Sequence, residues 1–186
     1  MPRTKAFDKQ QVLGKAVDLF WRQGYHATSM QNLVDTLGIN RASLYDTFGG
    51  KRDLFEQAFE SYRKHNKESL ARFFDKQISI KNGLEMLFLK SVSSTFDNGE
   101  VKGCLVVNCT AEFLPDDSNM LQVLSANRKE LEALFCELLK RGVEQGEFET
   151  QSDIPVLASY LFTFFSGLNV IAKLSPTKGN CVLVKY

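Results

Sequence analysis

The chain has 186 residues, of which 44% are hydrophobic and 24% charged. This composition is typical of a folded globular protein and excludes a mainly disordered chain. The four cysteines form no Cys-x-x-Cys pair, so zinc-ribbon and thioredoxin-type sites are not expected, and neither a metal nor a cofactor is predicted. The first residues lack the apolar segment of a signal peptide, and we therefore expect a cytoplasmic protein with reduced thiols.

Charge is unevenly distributed along the chain, although the formal net charge is only +1. Residues 1–52 contain eight basic and four acidic side chains, a balance of +4. The remaining 134 residues contain 15 basic and 18 acidic side chains, a balance of −3. A basic segment attached to an acidic one indicates a polyanionic partner for the basic part.

Apolar residues recur at spacings of three and four along most of the sequence, and no alternating strand pattern precedes residue 181. This periodicity predicts an all-α fold. The first predicted helix ends at Gly24, a residue type that commonly follows a helix. Its apolar face is formed by Leu13, Ala16, Val17 and Phe20.

Two short helices are predicted next, joined by a tight turn that contains Gly38. Either Thr28 or Ser29 is expected to cap the first of them, and Asn40 the second, which covers residues 41–47. This arrangement is typical of a helix-turn-helix, whose second helix enters the major groove of DNA.

The expected domain boundary follows this motif, with a DNA-binding domain over residues 1–50 and a helical domain over residues 51–186. The apolar spacing in the second domain predicts longer helices. They cover about residues 51–77, 82–96, 105–114 and 118–145, and a further helix begins after Asp153.

The sequence from Thr28 to Lys51 resembles the DNA-binding segment of the tetracycline-repressor (TetR) family. The resemblance covers about residues 8–60 and is carried by Leu37-Gly38-Ile39, Ser43-Leu44-Tyr45, Phe48, Lys51 and the preceding run from Phe20 to Tyr25. It implies a three-helix head followed by a helical regulatory domain that binds a ligand and dimerises. It also implies that the partner is double-stranded DNA carrying a palindromic operator.

Polar side chains around the predicted helix N-termini are the candidate DNA contacts. Arg41 can bind a guanine edge or a phosphate, and Ser43 can bind bases or the backbone. Hydroxyl and ammonium donors nearby suit phosphates, and the resemblance implies the same role for them: Thr28, Ser29, Tyr45, Thr47 and Lys51. Asn40 is a further candidate contact with DNA.

The third helix is expected to present one face to DNA and the other to the scaffold. We expect the outward residues to be Arg41, Ser43, Leu44 and Asp46, and the inward ones Ala42, Tyr45 and Phe48. Asp46 and Thr47 depart from the His-Tyr-like pair that many TetR-like proteins carry there.

The second domain contains candidate sensing residues. Aromatic residues either line an apolar ligand pocket or form ordinary core, and the pocket candidates are Phe88, Phe113 and Phe165. Gly103-Cys104-Leu105 with Ala111-Glu112 resembles a signature of one branch of TetR-like regulators, some of which sense electrophiles or oxidants through this cysteine. A helix N-terminus near Cys104 would favour its thiolate, whereas the alternative is that Cys104 and Cys109 are small buried hydrophobes.

Residues 154–172 contain no charged side chain. Polar residues within the segment disfavour a membrane span, and we predict a buried homodimer interface instead. After Pro176 the chain is too short and too β-branched for the last amphipathic helix that the resemblance implies, so this helix is expected to be missing or altered.

The sequence therefore predicts a transcriptional regulator. We expect a repressor that leaves a palindromic operator when it meets a small apolar or electrophilic effector or when a cysteine is modified. No nucleophile–base set or carboxylate pair is recognisable, so an enzyme is not expected. The alternative is an all-α protein-interaction module with a vestigial DNA-binding head, which would lack the steep salt dependence of phosphate binding.

Overall fold

A computed structural model describes residues 7–94, 102–113, 117–149 and 153–174 of the chain. All regular secondary structure in these ranges is helical, as the apolar spacing predicts. The elements are α1 (Lys9–Gln23), α2 (Met30–Leu37), α3 (Arg41–Phe48), α4 (Lys51–Asp75), α5 (Ile80–Ser94), α6 (Leu105–Phe113), α7 (Ser118–Glu144), α8 (Ile154–Ile171) and a 3₁₀ turn (Ala172–Leu174). The expectation of a missing or altered final helix concerns residues outside those described.

Two compact units divide the chain between Glu68 and Ser69, within α4. We call them the head and the body. The division lies later than the expected boundary after residue 50, because the first half of α4 contributes to the core of the head. There the ring of Phe55 meets that of Phe20 edge-on, with 5.1 Å between the ring centres.

A reciprocal capping arrangement begins α2. The Oγ of Ser29 accepts a hydrogen bond from the backbone N–H of Asn32 at 3.0 Å, and the Oδ1 of Asn32 accepts one from the N–H of Ser29 at 2.9 Å. Gly38 follows the helix with φ of 69°, a left-handed conformation that costs glycine little. Of the two predicted caps, Ser29 is therefore the one used.

The third helix is fixed at both ends. Asn40 caps it as predicted, because its Oδ1 accepts a hydrogen bond from the N–H of Ser43 at 2.8 Å. At its other end, the Nε2 of Gln57 on α4 donates to the carbonyl oxygen of Phe48 at 3.2 Å. The hydrogen bond from Gln57 attaches α3 to α4.

The body has its own hydrophobic core, to which the end of α4, α5, α7 and α8 contribute. Its buried members are Phe74, Ile80, Leu84, Leu87, Phe135, Leu138, Leu139 and Ala158. The ring of Phe148, in the loop after α7, lies over Gly142, where an added Cβ would be 2.2 Å from the ring. Glycine at this position thus lets the loop pack against α7.

Candidate nucleic-acid interface

The solvent-exposed face of α3 carries Arg41, Tyr45 and Asp46. The guanidinium carbon of Arg41 lies 5.9 Å from the centre of the Tyr45 ring, one helical turn along, within cation–π range. Ser43 and Thr47 are half-buried. The face offers a guanidinium, a phenol and two partly accessible hydroxyl groups, each of which can donate to phosphates or base edges.

The opposite face of α3 points into the head. Leu44 is fully buried, and Phe48, four residues later on the same side of the helix, is 3% exposed. The inward orientation predicted for Phe48 is confirmed, but the outward orientation predicted for Leu44 is wrong. Ala42 and Tyr45 are exposed rather than inward, because the buried side of the helix is centred on Leu44 and Phe48.

Thr28 lies inside the head rather than on its surface. Its side chain is fully buried, and its hydroxyl donates to the carbonyl oxygen of Gly24 at 2.6 Å. The predicted role of Thr28 as a phosphate donor does not fit this placement. Ser29 is exposed, with its hydroxyl engaged in the capping arrangement.

Two consecutive cations begin α4. The Nζ of Lys51 lies 4.4 Å from the centre of the Tyr25 ring, and the guanidinium carbon of Arg52 lies 6.0 Å from it. The Nε of Arg52 also donates to the Oε1 of Glu56 at 2.5 Å. The contact between Lys51 and Tyr25 was not predicted, because two residues so far apart in the chain leave no local pattern.

The two candidate thiols of the body differ in environment. Cys104 is half-buried directly before α6, as the sequence predicts, whereas Cys109 is buried within that helix. Burial, with smaller effects from the charges of Glu112 and Cys104, raises the pKa of Cys109 to about 12. The Cys109 thiol is therefore protonated at neutral pH, which fits the buried-hydrophobe alternative rather than a sensor.

The segment before Cys104 is held against the end of α8. The Nζ of Lys173 donates to the Oδ1 of Asn108 at 2.9 Å, and the Nδ2 of Asn108 donates to the carbonyl oxygen of Lys102 at 3.0 Å. Gly103 has φ of 64°, and a Cβ there would lie 2.9 Å from Cδ of Lys173. The positive φ favours glycine at this position, and the lysine side chain would have to shift to accommodate a Cβ.

Two of the three pocket candidates lie together. The ring centres of Phe88 and Phe165 are 6.4 Å apart, and both half-buried side chains pack against the core of the body. Phe113 is buried on α6. Within the described part of the chain, no group of three His, Cys, Asp or Glu side chains is placed to hold a metal ion.

Comparison with known proteins covers both units. Residues 12–58 match the model of bacterial regulatory proteins of the tetR family, and residues 83–181 match that of the tetracyclin repressor-like C-terminal domain. The chain is 36% identical to the uncharacterized HTH-type transcriptional regulator YezE of Bacillus subtilis, over 94% of this chain and 91% of YezE. It is 27% identical to the HTH-type transcriptional repressor ComR of Escherichia coli, over 92% of this chain and 82% of ComR.

A solved structure shows the same relationship. A cysteine mutant of the TetR family transcriptional regulator CifR, complexed with 26-base-pair double-strand operator DNA, matches with a TM-score of 0.81 and 32% identity. The match covers 92% of this chain and 90% of that one.

A capped helix-turn-helix at the start of a helical chain defines a DNA-binding transcriptional regulator. The chain belongs to the tetR family of bacterial regulatory proteins. The predictions of an all-α regulator, and of a protein that is not an enzyme, are confirmed by this membership.

Proposed function

We propose that the chain is a repressor that binds a palindromic operator as a homodimer, with α3 in the major groove at each half-site. The exposed face of α3 carries this proposal: Arg41 and Tyr45 face solvent on a helix whose other side is anchored by Leu44 and Phe48. A helix held in this way can keep its polar side chains in one geometry. ComR is named as a repressor, and CifR was solved with operator DNA, both of which support the proposal.

The proposed contacts divide into base readout and phosphate binding. Arg41 binds a guanine edge or a phosphate, and Ser43 binds a base or the backbone. The phosphate contacts are Ser29, Asn40, Tyr45, Thr47 and Lys51. Thr28 and Leu44 act from inside the head, where they hold α2 and α3 in place.

Selection of bound sequences from a random DNA pool tests the operator. We expect a palindrome whose half-sites are one DNA turn or a multiple apart, and failure to enrich any palindrome would overturn the proposal. Arg41→Ala should weaken operator binding by about 1–3 kcal/mol and relax one position if Arg41 reads a base. Lys64→Ala is the control, because Lys64 is exposed on α4 about 20 Å from Lys51 along the helix axis.

We infer that α8 supplies the dimer interface. Its exposed large apolar side chains are Val156, Tyr160, Phe164, Val170 and Ile171, and Leu174 follows them. Ile154–Leu174 is the described helical segment long and apolar enough to cross a membrane, with a mean hydropathy of 1.7 and 17% of the window buried. Apolar surface of this extent marks an interface with a protein or with lipid.

The neighbours of α8 favour a second copy of the chain over lipid. The Oγ of Ser159 donates to the Oε1 of Glu132 at 2.8 Å, and the Nε of Arg128 donates to the same oxygen at 2.9 Å. The guanidinium carbon of Arg128 lies 5.8 Å from the centre of the Phe162 ring. A charged pair against the helix would be costly in hydrocarbon, so we propose a cytoplasmic dimer.

Light scattering of variants tests the interface. Tyr160→Lys places a charge on the exposed face of α8, where Tyr160 is 69% exposed, and should shift a dimer towards monomer. Ile78→Lys is the control, because Ile78 is 95% exposed and lies outside α8. A wild-type monomer at micromolar concentration, or recovery of the protein with phosphatidylcholine vesicles on flotation, would contradict the proposed dimer.

We also propose that an effector releases the operator through the body. Cys104 is the reactive candidate, and Phe88 with Phe165 is the candidate contact for a small apolar ligand. Treatment with N-ethylmaleimide should weaken operator binding by the wild type and by Cys136→Ser, but not by Cys104→Ser. Equal losses in all three proteins would exclude Cys104 as the sensor.

A further inference from the structure

Tyr25 lies in the connection between α1 and α2, against the aromatic core of the head. Its ring centre is 5.0 Å from that of Phe55 and 6.3 Å from that of Phe20. The Tyr25 side chain is half-buried, so one part of it packs while another remains accessible. Packing against Phe55 fixes the Tyr25 ring, so a group that binds to the face of this ring is held in place as well.

The two cations near this ring occupy an unfavourable position in their own helix. Lys51 and Arg52 lie in the first turn of α4, where the partial positive charge of the helix N-terminus disfavours cations. For Arg52, the ion pair with Glu56 offsets this unfavourable interaction. The Lys51 ammonium lies 4.4 Å from the centre of the Tyr25 ring, whose negative face attracts it.

We propose that Tyr25 is a positioning residue for DNA binding, which holds the Lys51 ammonium at the N-terminus of α4 so that it meets a phosphate of the DNA backbone. The inference rests on the proposed phosphate contact of Lys51. An ammonium has three donors, so it binds a phosphate while it remains against the ring. Holding the flexible lysine before DNA arrives reduces the conformational entropy lost on binding.

The electrostatic potential at the face of the Tyr25 ring can be changed while the shape of the side chain is kept. Tyr25→Phe keeps the negative face, whereas incorporation of pentafluorophenylalanine at the same position reverses it. The probe is a fluorescein-labelled 26-base-pair duplex of random sequence, the length of the CifR operator duplex, because phosphate contacts do not depend on sequence. We expect Tyr25→Phe to bind like the wild type, and the fluorinated protein to bind about three-fold more weakly.

The same ring variants in a Lys51→Ala background show whether the ring acts through the lysine. In this background, the Tyr25→Phe protein and the fluorinated protein should bind the duplex equally well. Lys51→Ala alone should reduce the slope of log affinity against log salt by about 1. Thermal unfolding checks that each protein is folded, and Tyr25→Leu replaces the fluorinated variant in both backgrounds if that variant is not.

The outcomes distinguish a failure of this inference from a failure of the proposed phosphate contact of Lys51. An unchanged salt slope in Lys51→Ala would exclude the phosphate contact and, with it, the role of Tyr25. A reduced slope with no difference between the ring variants would overturn the inference alone. A further outcome is that the two ring variants differ in DNA affinity by the same amount with Lys51 and with Ala at position 51. That result would overturn the inference as well, because the ring would then act only through core packing.

Discussion

The carboxylate of Glu147, in the loop after α7, accepts a hydrogen bond from the backbone N–H of Lys81 at 2.7 Å. It also accepts hydrogen bonds from the N–H of Ile80 and the Oγ of Ser79, both at 3.0 Å. The carboxylate thus caps α5 from a distant part of the sequence. These hydrogen bonds, that from Lys81 foremost, hold the pKa of Glu147 below its ordinary value of 4.5, because they favour the ionised form.

Glu147→Gln should therefore lower the melting temperature at pH 7, and the difference from the wild type should shrink in acid. Because the pKa of Glu147 is lower in the folded than in the unfolded chain, its contribution to stability is present above pH 4.5 and is lost as the pH falls through the folded value. Circular dichroism melts from pH 7 to about pH 3 measure this. Glu149→Gln, an exposed control, should show neither effect.

Thr28→Val should lower the free energy of unfolding by about 1 kcal/mol, because the carbonyl oxygen of Gly24 loses its buried hydrogen-bond donor while the shape of the side chain is kept. The salt dependence of DNA binding should not change, since the Thr28 hydroxyl does not face solvent. Urea unfolding and salt titrations measure the two quantities. An unchanged stability with a smaller salt slope would restore the role as a phosphate donor.

Leu44→Ala should mainly lower the stability of the protein, whereas Tyr45→Ala should mainly weaken its binding to DNA. Leu44 is fully buried, so its truncation should cost about 2–5 kcal/mol of unfolding free energy. Tyr45 is 45% exposed, so its truncation should change stability by only about 0.5 kcal/mol while it weakens DNA binding. Denaturant unfolding beside anisotropy titrations checks both. A stable Leu44→Ala that fails to bind DNA would support the outward orientation instead.

The starts and ends of the helices could be predicted because they depend on local chemistry. Ser29 and Asn40 cap helices through residues only three positions away, and Gly38 adopts its left-handed conformation directly after α2. The side of α3 that faces the core was harder to predict. In an eight-residue helix with few apolar residues, Leu44 and Tyr45 are both acceptable core residues, and contacts with the rest of the head decide between them.

Contacts between distant parts of the chain could not be predicted. The cap that Glu147 provides for α5 and the contact of Lys51 with Tyr25 each join two segments that no helical period connects. Gly103 was part of a recognised motif, but the side chain of Lys173, which adds to the effect of its positive φ, lies far along the sequence. Local sequence patterns predict where the helices lie. The contacts of Glu147, Lys51 and Gly103 depend instead on which segments pack together in the folded chain.

Cys109 should resist alkylation in the folded protein, because burial raises the pKa of its thiol to about 12. At pH 8 only about one molecule in ten thousand would carry the thiolate that iodoacetamide attacks. Mass spectrometry of timed reactions should therefore show Cys104 and the half-buried Cys136 labelled well before Cys109. In guanidinium chloride, where burial is lost, Cys109 should react at the rate of the others. Equal rates for Cys109 and Cys136 in the native protein would show that α6 opens readily, and that Cys109 is available to the same effectors as Cys104.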